Sequence, residues 1–94
     1  MKLPVKLATY LHTFDVEIHG TYLREPQPMR IRTVTIPRER ARRCTTTDSW
    51  LDAIFEFGQN DFQPQQCPSV SVGDVIRFGE GRFRVERFGF ERIA

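Results

Sequence analysis

The first hydrophobic pattern in the chain is an alternation. Between residues 8 and 18, Ala8, Tyr10, His12, Phe14, Val16 and Ile18 fall on one face, and Thr9, Leu11, Thr13, Asp15 and Glu17 on the other. A period of two over that length predicts a long, half-buried strand. His19 and Gly20 read as a turn, and residues 21–24 as a short returning strand. Pro26 and Pro28 break regular structure. The β-branched run "MRIRTVTI" at 29–36 predicts a further strand, ended by Pro37.

The period then changes. In "TTTDSWLDAIFEFG", Leu51, Ile54 and Phe55 recur at i, i+3, i+4, and Trp50, Ile54 and Phe57 at i, i+4, i+7. This predicts a main helix over 48–57, with Thr47 or Asp48 as its cap and Gly58 as its terminator. The preceding "RERARRC" fits either one helical turn with Pro37 at its first position or an exposed loop. Residues 59–68, with two prolines, read as a loop with Phe62 tucked under it.

"SVGD" at 71–74 fits a tight turn with Gly73 at its third position, where a positive φ is required, and with the Asp74 side chain capping it. A hairpin follows. A two-residue loop at Glu80-Gly81 would pair Phe78 with Phe83 and Ile76 with Val85 on one face, and set Arg77 opposite Arg84 on the other. Glu86, diagonal to Arg77 in that register, is the expected neutralising group. The alternation fails after Val85, so the strand bends, bulges or ends near Arg87.

Composition changes this picture modestly. Ninety-four residues make one domain, 1–94, and eight Phe are expected to supply the bulk of its core. The net charge of +2 hides an asymmetry. Residues 1–47 carry nine basic and four acidic groups, and residues 48–94 five basic and eight acidic. Seven Arg lie between Arg24 and Arg43, against Glu25 and Glu39. The segment Arg30, Arg32, Arg38, Arg40, Arg42, Arg43 is therefore a candidate anion-binding surface. The alternative is a solvated face that offsets the acidic half. It lacks the interleaved aromatics of a single-strand nucleic-acid groove, since no ring lies between Met29 and Cys44.

Motif chemistry is sparse. Two cysteines without a C-x-x-C and two upstream histidines fall short of a zinc set, so no metal is expected. No G-x-S-x-G elbow is present, and Gly79-Glu80-Gly81 lacks the further glycine, lysine and helix of a phosphate loop. His12, among apolar neighbours on one strand face, reads as a satisfied histidine. Asp48 and Asp52 read as partners of the helix dipole. No enzyme activity and no cofactor are expected. No signal peptide and no membrane span are visible, which predicts a cytoplasmic protein with reduced thiols.

The second half of the chain resembles a known family. Leu51, Ile54 and Phe55 in a short helix, then Ser69, Val70, Ser71, Val72, Gly73, Asp74 and Val75, and finally Gly89 and Phe90, match the order of the YodL-like family of small bacterial and phage proteins. The match spans roughly residues 48–93. "RFRVERF" departs from the Tyr-rich strand usual there. The resemblance implies a small protein carried on phages, plasmids or other mobile elements, without established enzyme activity.

Together these readings predict an α+β fold: a small, mainly antiparallel β-sheet of about four to five strands, with one main α-helix packed on one face. The expected function is a non-enzymatic protein-interaction module of unknown target. Its candidate partner- or anion-binding residues are Arg38, Arg40, Arg42, Arg43, Arg77 and Arg84. The alternative is a small RNA- or DNA-binding protein using the Arg-rich segment and the sheet face. "GDVIRF" resembles the "GD-x-I-x-F" strand of PUA/ASCH-like barrels, which bind RNA. A homodimer would form through an unpaired edge strand or through the Arg77/Arg84 face.

Overall fold

A computed structural model describes residues 12–19 and 30–94. Five antiparallel strands form one sheet: β1 (Thr13–Ile18), β2 (Arg30–Thr35), β3 (Val75–Phe78), β4 (Gly81–Val85) and β5 (Phe90–Arg92). Their spatial order is β2-β1-β3-β4-β5. Two helices lie between β2 and β3: α1 (Arg38–Ala41), a single turn, and α2 (Thr47–Phe57). This is the α+β architecture expected from the periodicities. The strand beginning at residue 8, the turn at Gly20 and the strand at 21–24 fall outside the described residues, apart from the part that forms β1.

The topology explains why the helices share one face. β2 and β3 both run antiparallel to the β1 between them. They are therefore parallel to each other, and parallel strands need a long crossover. That crossover carries α1 and α2 over the face bearing Val16, Ile18, Val34 and Ile76. Leu51 and Ile54 of α2 meet this face, and both are fully buried. Each such side chain contributes on the order of 2–3 kcal/mol of burial.

The fully buried core is aliphatic. None of the eight Phe reaches full burial, contrary to the compositional expectation. Phe14, Phe78 and Phe83 instead form a rim with Trp50 and His12. Trp50 lies 5.3 Å from the His12 ring and 5.6 Å from Phe14, and Phe14 lies 5.6 Å from Phe78. A five-stranded sheet with one short helix layer encloses too little volume to surround rings on every side, so aliphatic groups occupy the centre. His12, as expected, is a packed histidine.

Several local expectations shift. Pro37 is the N-cap of α1 rather than its first residue. The cap of α2 is Thr46, one residue before the predicted pair. Its Oγ1 accepts from Ser49 N at 3.1 Å, while Ser49 Oγ accepts from Thr46 N at 2.9 Å. This is a reciprocal capping box in which Ser replaces the usual Glu. Gly58 ends the helix at φ −79°, so positive φ is not what requires glycine there. A Cβ would sit 2.4 Å from Val70 Cγ2. Phe62 is not tucked under the loop: it is 57% exposed, with its ring 5.4 Å from that of Phe57.

The hairpin register differs by one step in each strand. Phe78 faces Gly81, Arg77 faces Arg82 and Ile76 faces Phe83. The loop is Gly79-Glu80. Gly79 takes φ +60° at the first central position while Glu80 avoids positive φ, as in a type II′ turn. The expected Glu80-Gly81 loop would have forced Glu80 into the left-handed region, and glycine relieves that strain one residue earlier. The facial assignment survives, because the shift preserves parity, but Arg77 faces Arg82 and not Arg84. The Ser71–Asp74 turn forms as read. Gly73 has φ +96°, and Asp74 Oδ2 accepts from Ser71 N at 2.9 Å.

The two edges of the sheet are treated differently. Along β2, the 59–68 loop takes the place of a sixth strand. Gln63 Oε1 accepts from Thr35 N at 3.0 Å and its Nε2 donates to Thr35 O, while Gln65 Nε2 donates to Thr33 O at 2.6 Å. Arg32 fastens the loop. It was read as part of a surface charge run, yet it is fully buried. Its Nη1 donates to Asn60 Oδ1 at 2.7 Å and its Nη2 to Gln63 O, while its Nε has no partner among the described residues. Alternation dictates this, since Arg32 shares the core-facing parity of Val34.

Candidate functional site

The face of the sheet opposite the helices carries Glu17, Arg77, Arg82, Arg84 and Glu91. Glu17 alternates with Val16 and Ile18, so it points away from the core. It is nevertheless only 2% exposed, because other side chains converge on it. Arg82 donates from Nη2 to Oε1 at 2.7 Å and from Nε to Oε2 at 2.9 Å, a bidentate pair. Arg77 Nε donates to Oε2 at 3.0 Å. His19 Nε2 lies 2.9 Å from Oε1, and facing a carboxylate it acts as donor.

Burial works to raise the Glu17 pKa. The hydrogen bonds from Arg82, then His19, then Arg77 outweigh it and hold the carboxyl at about 2. The same bond from Glu17 raises the pKa of Arg82. An acid this strongly ionised, with both oxygens engaged, is a poor proton acceptor. Its chemistry here is to position guanidinium groups. Asp74, also buried, accepts from His19 N at 2.9 Å and so fixes the end of β1 beside the Ser71–Asp74 turn.

Arg84 continues the row along β4. Its Nε donates to Glu86 Oε1 at 3.0 Å and its Nη2 to Glu91 Oε2 at 3.2 Å. The Glu86 hydrogen bond, and then its charge, raise the Arg84 pKa, and the Arg84 bond is the largest influence lowering that of Glu86. The sequence expected Glu86 to neutralise Arg77; Glu86 serves Arg84, and Glu17 serves Arg77. The three arginine side chains are 46%, 41% and 42% exposed, in the order Arg77, Arg82, Arg84. Both Nη atoms of Arg77 and the Nη1 atoms of Arg82 and Arg84 have no hydrogen-bond partner among the described residues. They form a row of donors across β3 and β4 that no described residue engages.

The other candidates lie elsewhere. Arg38, Arg42 and Arg43 are exposed on and after α1, on the helix side of the sheet. Arg38 and Arg42 line a shallow, open recess with Pro37 and Glu39. Arg40 turns inward, its Nε 3.7 Å from Glu56 Oε1 of α2 and its Nη1 3.7 Å from Cys44 Sγ. The basic segment and the Arg77/Arg84 row are thus two separate surfaces. Cys44 and Cys67 are free thiols, and no cluster of metal-ligating side chains occurs among the described residues. No helix among them is long and apolar enough to cross a membrane.

Sequence reasoning missed Glu17 and Arg82. Arg82 was legible in principle, since placing Gly79 at the first turn position brings it opposite Arg77. Glu17 was not, because it meets Arg77 and Arg82 only through the pairing of β1 with β3, sixty residues apart in the chain. No family model, no curated protein and no solved structure matches this chain.

Proposed function

We propose that the protein is a non-enzymatic interaction module that binds an acidic segment of a partner protein on the face of its sheet opposite the helices. The observation that carries this reading is the Arg77–Arg82–Arg84 row, in which Glu17 holds Arg77 and Arg82 and Glu86 and Glu91 hold Arg84, with outer guanidinium nitrogens that have no partner among the described residues. Ordered guanidinium forks lose less entropy on binding a carboxylate than free arginines do. The alternative, nucleic-acid binding, needs stacking platforms beside the charge. The rings of Phe14, Phe78 and Phe83 pack on the helix side, which favours a protein partner. Carriage by a phage, plasmid or other mobile element belongs to the same proposal and rests on the YodL-like resemblance of residues 48–93, and cytoplasmic action is proposed beside it.

Fluorescence anisotropy with a short alternating Glu/Val peptide, a Lys/Val control and single-stranded oligonucleotides tests it. The Glu/Val peptide is expected to bind, with binding that weakens as salt rises and that Arg77→Ala with Arg84→Ala abolishes. Absence of acidic-peptide binding at protein concentrations up to about 1 mM, the weak end of the useful affinity scale, overturns the proposal. Oligonucleotide binding lost on changing Arg38, Arg40, Arg42 and Arg43 would transfer the function to nucleic acid.

A further inference from the structure

The two sheet edges point to a second binding surface. On the β2 edge, Thr35 N and O and Thr33 O are occupied by glutamine amides, and Arg32 anchors the loop that carries them. No described residue covers β5 in a comparable way. Ile93 N donates to Arg82 O at 2.8 Å and Glu86 N to Gly89 O at 2.9 Å. In an antiparallel ladder the intervening residues, Phe90 and Arg92, then direct their backbone N–H and C=O away from β4. No described residue meets these groups. Beside them, at the tip of the β4–β5 hairpin, Phe88 is 90% exposed, and Ile93 at the far end is 37% exposed.

We propose that β5 pairs antiparallel with β5 of a second copy, giving a two-fold dimer with a continuous ten-stranded sheet. The register that uses all the free backbone groups sets Phe90 opposite Arg92 of the other copy, twice. Arg92 already lies over an aromatic ring, its Cζ 5.8 Å from the Phe83 centroid, so the new neighbour extends a contact of the same kind. Phe88 then lies opposite Ala94 at the end of the other copy's strand, which covers part of its exposed ring. Glu91 meets its own copy, a repulsive pair in isolation. Each Glu91 is already bonded to Arg84 of its own chain at 3.2 Å, which reduces that repulsion.

The closed β2 edge limits the assembly. Pairing through one open edge ends at two copies, whereas two open edges would propagate. A two-fold axis perpendicular to the sheet keeps both helix layers on one side and both arginine rows on the other. The dimer would thus present two rows to one partner and deepen the proposed function, although its formation does not depend on that function.

Sedimentation velocity and light scattering from about 5 µM to about 1 mM, the range of weak to moderate affinity, test the proposal. The chain of 11.0 kDa is expected to pass from monomer to a dimer of twice that mass. Arg92→Pro removes an outward N–H without touching the bonds to β4, and it should abolish the dimer, while Arg92→Ala should only weaken it. Phe88→Asp, at a position too exposed to affect folding, should weaken association roughly tenfold or more, the scale of losing one buried ring contact. Arg77→Ala should leave the dimer intact, which separates this proposal from the acidic-partner reading. A monomer throughout, a dimer insensitive to Arg92→Pro and Phe88→Asp, or growth beyond two copies would each overturn it.

Discussion

Replacing Glu17 by Gln should give the protein a different dependence of stability on pH. In the folded state the carboxyl is held at about 2, against an ordinary value of 4.5. A group whose pKa is depressed on folding stabilises the native state above its unfolded pKa. That stability is lost as pH falls through the folded pKa. At about 1.4 kcal/mol per unit, the shift corresponds to about 3 kcal/mol. This is a sizeable share of a total on the order of 5–10 kcal/mol for a domain of this size. The figure suits the geometry, since Glu17 is 2% exposed while the arginines it would leave behind reach water and solvate again. The assay is urea unfolding of wild type and Glu17→Gln at a series of pH values from 7 to 2. The gap between them should be about 3 kcal/mol near neutrality. It should close between pH 4.5 and about 2, where the native carboxyl takes up its proton. A gap that stays constant over that window, or one already below about 1 kcal/mol at pH 7, would show that the ion cluster is not what Glu17 contributes.

Other changes have sharp expectations. Gly58→Ala should destabilise by about 1–3 kcal/mol through overpacking against Val70 and the Ile54 carbonyl, although its backbone angle suits alanine; adding Val70→Ala removes the Cγ2 contact but leaves Ile54 O at 2.9 Å and Val70 Cβ at 3.1 Å, so thermal melts should show no full recovery. Gly79→Ala meets no neighbouring atom but keeps φ +60°, so it should cost about 1–2 kcal/mol from backbone strain alone. Thr46→Ala removes the α2 cap and should cost about 1 kcal/mol, read as a lower urea midpoint with an unchanged slope. Gln63→Ala with Gln65→Ala uncovers the β2 edge. Light scattering should then show assemblies larger than those of wild type, since a second edge is open.

Much of the fold was legible because it is written locally. The alternation of Phe14, Val16 and Ile18, the helical spacing of Leu51 and Ile54, and Gly73 in its turn each follow from a short window of sequence. The candidate site was only partly legible. Placing Arg77 and Arg84 on the polar side of a hairpin was correct. The partner of Arg77 depended on a single turn residue, and placing the loop at Glu80-Gly81 instead of Gly79-Glu80 shifted the register. Arg32 was misread because a charge in a basic run resembles every other surface charge; only parity with Val34 places it inside. Glu17 carries no local sign at all, since its burial arises from side chains contributed by β3 and β4.

The buried Arg32 has a consequence for how the molecule opens. The 59–68 segment has the composition of a flexible connector, rich in Gln and Pro, and such segments ordinarily open alone and often. Here release of the segment would admit water to the core side of β2, where Arg32 sits in line with Val34. The opening would then spread into the strand rather than stay in the loop. Segment and strand should behave as one cooperative unit. Backbone amides of this apparently loose stretch should therefore exchange their hydrogens with the slow kinetics of the sheet.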